Sequence, residues 1–236
     1  MEFESRNVVL TGVGRPGQVG EAVAQAFAER GARLVLVDRK LDQARARADA
    51  LVARGHQASA LAADLTDVNA VAALADAVRA TTGGQLHALV QLAGGFSMSG
   101  PVADSDPGEW TRLLAINGTT AYLAARAFIP LLRAARGSLV CFASEAVLPG
   151  AHARNRAAYT AAKSVVVALV HAIAEEERDN GVRANAVAPS TIRTAANVAA
   201  MGEQAAMVSR EAVADVVCWL CSDAARAVTG QLIAVR

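Results

Sequence analysis

Cysteine is scarce in this chain. Cys141, Cys218 and Cys221 are too few and too clustered to build a disulfide framework. Cys218 and Cys221 spell C-x-x-C, but they close the helical run REAVADVVCWLC instead of opening a helix, where the dipole would activate a thiol. They read as structural. Net charge is scarce as well, +1 in total with no basic block, which argues against nucleic acid as a partner. The four histidines, His56, His87, His152 and His171, have no paired metal-ligand spacing, so no metal is expected. His171 sits on an apolar helical stretch and reads as a packed histidine. The segment MEFESRNVVL has no basic region leading into a long apolar run, and no uninterrupted run of about 18 apolar residues occurs, so neither a signal peptide nor a membrane span is expected. The expected location is cytoplasmic.

What is present is a regular alternation. The chain has 236 residues, 53% of them apolar, enough for one sizeable core. Strand-like runs (RNVVLTG, RLVLVD, HQASALAAD, LHALVQLAGG, GSLVCFAS, VRANAVAP, TGQLIAV) alternate with alanine-rich helical runs. One helix should cover about 109–135 and another about 157–180, while Thr66 reads as the N-cap of a third. This pattern predicts one α/β domain over 1–236. Its core is a Rossmann-type doubly wound sheet of about seven mostly parallel strands with helices on both faces. Ligands of such sheets bind beyond the carboxyl ends of the strands.

The stretch TGVGRPGQVG follows the first strand and opens the first helix. That placement suits a dinucleotide pyrophosphate, met by a tight glycine turn and free helix N–H groups. Gly12 would make the turn, and either Gly14 or Gly17 would let the backbone approach the phosphates. Gly20, eleven residues before Gly31, would pack the helix on the sheet. Asp38 ends the second strand, where an acid can accept from ribose hydroxyls and repel a 2′-phosphate. NAD is therefore favoured, although Arg39 or Arg15 can pair with a phosphate and keep NADP open. Asp64 can accept the adenine amino group, or it can simply serve a helix N-terminus.

Tyr159 and Lys163, in AAYTAAKS, lie four residues apart on one helical face. An ammonium beside a phenol should lower the tyrosine pKa and fit it for acid/base work. Ser144, after the fifth strand, can hydrogen-bond a substrate oxygen. Asn117 and Gly118 interrupt an apolar helical stretch at a cost in helix stability, which fits an anchor for a buried polar network. Candidate substrate contacts are Phe96 and Met98 after the fourth strand, Ser144 and His152 after the fifth, and Met201 in a short lid over about 191–210.

Taken in order from Asn7 to about Val235, these motifs resemble the short-chain dehydrogenase/reductase family: TG…G, VD, ADL, AGG, Asn117, Ser144, YTAAK and VAPSTIRT. The resemblance implies an NAD(P)-dependent oxidoreductase of a small alcohol or ketone. It makes Tyr159 the acid/base and lets Ser144 orient the substrate oxygen. Lys163 would bind the nicotinamide ribose, and Asn117 would support a proton relay. It also implies a cofactor site of Gly12, Gly14, Gly17, Val19, Gly20, Asp38, Arg39, Asp64, Leu65, Ala93, Gly94, Tyr159, Lys163, Pro189, Ile192 and Thr194. Related enzymes pair the helices at about 109–135 and 157–180 in homodimers or homotetramers.

The chain departs from the family's commonest pattern in places. Gln91-Leu92 stands where the family usually has two asparagines, Ser190 follows Pro189, and the glycine loop is two residues longer. That loop length resembles the enoyl-thioester reductases of the same superfamily, which place their tyrosine further from the lysine. The corresponding residue here is Arg156. A non-catalytic dinucleotide-sensing protein is the other alternative, though such proteins typically lose the tyrosine or the lysine.

Overall fold

Alternation along each strand assigns its residues to two cores. On β1 (Asn7–Thr11), Val8 and Leu10 face one helical layer while Val9 faces the other, as successive side chains of a strand must. The computed structural model describes residues 1–236. The remaining strands are β2 (Arg33–Asp38), β3 (Gln57–Ala62), β4 (Ala88–Gln91), β5 (Ser138–Phe142), β6 (Arg183–Pro189) and β7 (Leu232–Val235). They form one seven-stranded sheet, ordered β3-β2-β1-β4-β5-β6-β7, with every pairing parallel.

Helices α1 (Val19–Glu29), α2 (Leu41–Val52) and α8 (Arg210–Cys221) cover one face, burying Phe27, Leu51, Val217 and Leu220 against Leu10 and Val140. Helices α3 (Val68–Thr82), α5 (Thr120–Ala135) and α6 (Ala157–Glu176) cover the other, burying Leu74, Phe128 and Ile173 against Leu89 and Leu139. Cys218 and Cys221 are buried, unpaired thiols on α8, as the structural reading requires. After β3 the chain returns across β1 to build β4, so the strand order reverses between β1 and β4. A crevice at such a reversal is where open α/β sheets bind ligands.

Three local expectations need correction. The N-cap of α3 is Asp67, whose carboxylate accepts from the N–H groups of Asn69 and Ala70; Thr66 instead pairs with Asp64. The helix expected at about 109–135 is not continuous. It consists of α4 (Pro107–Leu113), one π-helical turn (Leu114–Thr119) and α5, and the wide turn contains Asn117 and Gly118. His171 is exposed, because Val170, Ile173 and Ala174 form the buried face of α6. Helix α6 is long and apolar enough, by length and composition alone, to cross a membrane, with a mean hydropathy of 1.5 over its best window. Here it lies on the sheet, with Val166, Val170 and Ile173 in the core.

Candidate active site

The glycine loop divides its labour among four glycines. Gly12 has φ +74°, and a β-carbon there would stand 2.7 Å from the backbone of Ala93, so the turn runs directly against the exit of β4. The N–H of Gly14 donates to Asp38 Oδ2 at 2.8 Å. Gly17 has φ +69°, only the Ala195 side chain near it, 3.8 Å from where a β-carbon would stand, and an N–H donating to Glu21 Oε2 at 2.8 Å. Gly20 is buried, and a side chain there would press on Val13 and the Gly12 carbonyl. Gln18 caps α1 with backbone only, and Val19 follows as its first residue, so the first-turn N–H groups receive no side-chain cap. This is the open, glycine-lined helix start that a pyrophosphate requires.

Asp38 ends β2 with both carboxylate oxygens engaged by backbone donors, Gly14 N–H on Oδ2 and Lys40 N–H on Oδ1 at 3.3 Å. Arg15 and Arg39 are exposed. Asp64 Oδ1 accepts from both the N–H and the hydroxyl of Thr66, which holds the acid below its usual range and ties it into its own turn. Leu65 is a core residue. At the far side of the crevice Pro189 ends β6. Ile192 bridges to Val208 across the base of the short lid, and the buried Thr194 hydroxyl caps α7 (Ala195–Met201) by accepting from Asn197 N–H at 3.2 Å.

Between these two sides four polar side chains come together. Asn117 turns in from the π-helical turn, its Nδ2 donating to the carbonyls of Leu113 and Gly95, both at 3.0 Å. Its Oδ1 accepts from Gly95 N–H at 3.2 Å. A β-carbon at Gly94 would stand 2.5 Å from that same Oδ1 and 3.4 Å from Lys163 Nζ, so the asparagine and the lysine meet across a glycine. Lys163 is buried; its Nζ donates to the Phe142 carbonyl at 2.7 Å and lies 5.9 Å from the Tyr159 ring centre. The Ser144 hydroxyl accepts from Ala146 N–H and stands beside the Tyr159 phenol. Phe96 meets the Tyr159 ring edge-on, with centroids 5.0 Å apart.

The electrostatics reverse one expectation. Burial raises the Tyr159 pKa above its ordinary 10.0, and the Ser144 hydrogen bond only partly opposes it. Lys163 does not depress it here, because the lysine is itself desolvated and its own pKa falls to about 8. The buried Cys141 thiol, on β5, is pushed up to about 12.

Met98 and His152 lie exposed on the loops after β4 and before α6, and Met201 is the exposed last residue of α7. Sequence reasoning noted Gln91 only as a departure from the family pattern and missed its role. Its Oε1 accepts from the Thr11 hydroxyl at 2.8 Å and links β4 to β1 in place of the expected asparagine. It also missed the Phe142 carbonyl that holds Lys163, for which a sequence carries no signal.

The protein-family model described as enoyl-(acyl carrier protein) reductase matches residues 12–236. The 2-(S)-hydroxypropyl-CoM dehydrogenase 3 of Xanthobacter autotrophicus is 34% identical, over 100% of this chain and 97% of its own. This chain belongs to the short-chain dehydrogenase/reductase family. A cyclohexanol dehydrogenase from Acinetobacter is 31% identical, over 97% of this chain and 92% of its own. The solved structure of an NAD(P) dependent dehydrogenase from Beutenbergia cavernae with bound NADP (low occupancy) superposes with a TM-score of 0.87. It is 31% identical and covers 98% of this chain and 95% of that one. The short-chain dehydrogenase/reductase described here is an NAD(P)-dependent oxidoreductase acting on CH–OH donors. Its open glycine loop and the glycines at β4 leave the backbone bare where a dinucleotide would lie, so the residues fit that cofactor.

Proposed function

We propose that this enzyme interconverts a small alcohol and its ketone, with Tyr159 as the acid/base. The observation that carries the proposal is that Asn117 and Lys163 meet at Gly94 while Lys163 lies by the Tyr159 ring and Ser144 stands beside the Tyr159 phenol, beyond the carboxyl ends of β4 and β5. NAD(P) supplies the hydride donor or acceptor at its nicotinamide ring. In the reducing direction the Tyr159 phenol gives its proton to the carbonyl oxygen; in the oxidising direction the phenolate takes it back. Ser144 holds that oxygen by a hydrogen bond. Lys163, its pKa lowered to about 8 by burial, would exchange protons and hold the nicotinamide ribose, while Asn117 keeps the adjoining backbone in place. Gly12, Gly14, Gly17, Val19 and Gly20, then Ala93, Gly94, Pro189, Ile192 and Thr194, would hold the cofactor. Asp38, beside Arg39, favours NAD over NADP. Asp64 and Leu65 bound the adenine side, with Leu65 shaping the wall from within the core.

The substrate lies against Phe96, Met98 and Ser144, with His152 and Met201 at the entrance. The exposed Trp110, Tyr122 and Val165 on α4, α5 and α6 fit a homodimer or homotetramer built through those helices. Residues 1–236 act as one catalytic unit, in the cytoplasm. The alternative is reduction of an enoyl thioester, favoured by the loop length. The test is an assay of the purified enzyme with NAD and NADP on matched alcohols, ketones and enoyl thioesters. Alcohol oxidation preferring NAD supports the proposal. Reduction of a C=C bond without activity on the matching ketone establishes the alternative.

A further inference from the structure

A cavity of about 500 Å³ opens at the opposite end of the sheet, below the amino-terminal ends of β1, β5 and β6. Its wall is unusual in charge. Five arginines line it (Arg6, Arg136, Arg178, Arg183 and Arg226) against one carboxylate, Asp223. Burial and the neighbouring Arg6 keep the lining His87 toward its neutral form. The wall thus carries a net charge of +4 in a chain whose total is +1.

Arginines at helix carboxyl ends are ordinarily consumed by orphan carbonyls or by ion pairs. Two of these five are. Arg183 donates to the carbonyls of Leu220, Ser222 and Val228, and Arg6 is paired with Asp223. The other three, Arg136, Arg178 and Arg226, make no ion pair or side-chain hydrogen bond, although Arg226 lies near enough to Asp223 to help hold that carboxylate below its usual range. They reach the cavity from separate segments: the left-handed cap after α5, the turn after α6, and the turn after α8. The stem of Arg136 lies over Gly181, where a side chain would crowd it at 3.3 Å. The nearby Glu177 is already held by Arg133 and Asn180, so it does not neutralise them.

Three arginines with no hydrogen-bonded acceptor on the wall of one concave cavity offer the recognition chemistry of an oxyanion, because each guanidinium fork presents paired donors to phosphate or carboxylate. The volume falls within the range of small-ligand sites. We propose that this cavity binds a small, multiply charged oxyanion, a phosphate ester or a polycarboxylate, at a site separate from the active site. Binding would tie the ends of α5, α6 and α8 together and stabilise the fold.

The test is calorimetry and thermal unfolding of the full chain with pyrophosphate and with citrate, against sodium chloride at matched ionic strength. Saturable binding with a rise in Tm is expected, and the tighter of the two anions identifies the source. An Arg178→Ala/Arg226→Ala double variant should lose about tenfold or more in anion affinity. Its cofactor affinity and anion-free Tm should be unchanged, which separates this site from the glycine loop. An Arg226→Gln variant alone should show a smaller loss. Stabilisation that chloride matches would overturn the proposal, and so would a double variant that binds as tightly as the parent.

Discussion

Gly94 and Asn117 are packed so closely that a methyl group at 94 would stand 2.5 Å from the asparagine side-chain oxygen. Position 94 therefore sets where Asn117 and, 3.4 Å from the same point, Lys163 can sit. Gly94→Ala should displace both, lowering kcat by about tenfold or more and stability by about 1–3 kcal/mol. Gly95→Ala is the control. Its new methyl would meet only the tip of Ile116, a flexible side chain that can turn away. Steady-state kinetics and thermal unfolding of the pair check this; equal damage would refute it.

The raised Tyr159 pKa is directly observable. The chain has two tyrosines, Tyr122, which is exposed, and Tyr159. In the cofactor-free enzyme Tyr159 should ionise above the ordinary phenol value, since burial favours the neutral form. An ultraviolet titration of wild type minus Tyr159→Phe isolates it. The same variant should lose activity by about 100-fold or more while keeping its fold. Ionisation of Tyr159 below the ordinary value would mean that Lys163 governs it after all.

Lys163 links the site to stability through pH. Its pKa is about 8 in the folded protein against an ordinary 10.5. Below pH 8 both folded and unfolded chains hold the proton, and the folded state bears the full cost of burying the charge. Between these values the folded protein releases the proton first, so stability contributed by this group rises with pH. From pH 7 to pH 10 wild type should gain about 2 kcal/mol relative to Lys163→Met. Other titrations, including Cys141, are common to both proteins and cancel to first order. Chemical denaturation at the two pH values measures the difference. A gap that does not change with pH would show that the lysine is not desolvated.

Asp38 should decide the cofactor. With both oxygens engaged by the backbone of Gly14 and Lys40, its charge is fixed at the end of β2. Asp38→Ser removes the repulsion toward a 2′-phosphate and leaves Arg39 in place. The ratio of kcat/KM for NADP over NAD should rise by about tenfold or more. The KM for NAD should rise too, because Gly14 loses its anchor. An unchanged ratio would mean that selectivity lies elsewhere in the loop.

The literal G-x-G-x-x-G of Gly12, Gly14 and Gly17 illustrates how far a pattern reaches. Spacing to Gly31 assigns Gly20 to packing, and a side chain at Gly20 would indeed press on Val13 and the Gly12 carbonyl. Spacing could not say that Gly14 faces Asp38, since that contact joins β1 and β2 across 24 residues. The Asn117 anomaly was legible as a helix-weakening residue. Where it stands, in a π-helical turn with its side chain hydrogen-bonded to the Gly95 backbone of another loop, was not.

What the sequence alone determined is periodic or local: strands and helices, the parallel doubly wound sheet, and the chain order of the family's motifs. These follow from which residues alternate and which turn, and a linear chain carries that directly. What only the tertiary structure decided is desolvation and convergence. The proximity of Tyr159 and Lys163 argued for a lowered phenol pKa, but their shared burial raises it. The arginines at 6, 136, 178, 183 and 226 looked scattered, yet strand order gathers them around one cavity. Burial and distance through space set those energies, and neither is a function of separation along the chain.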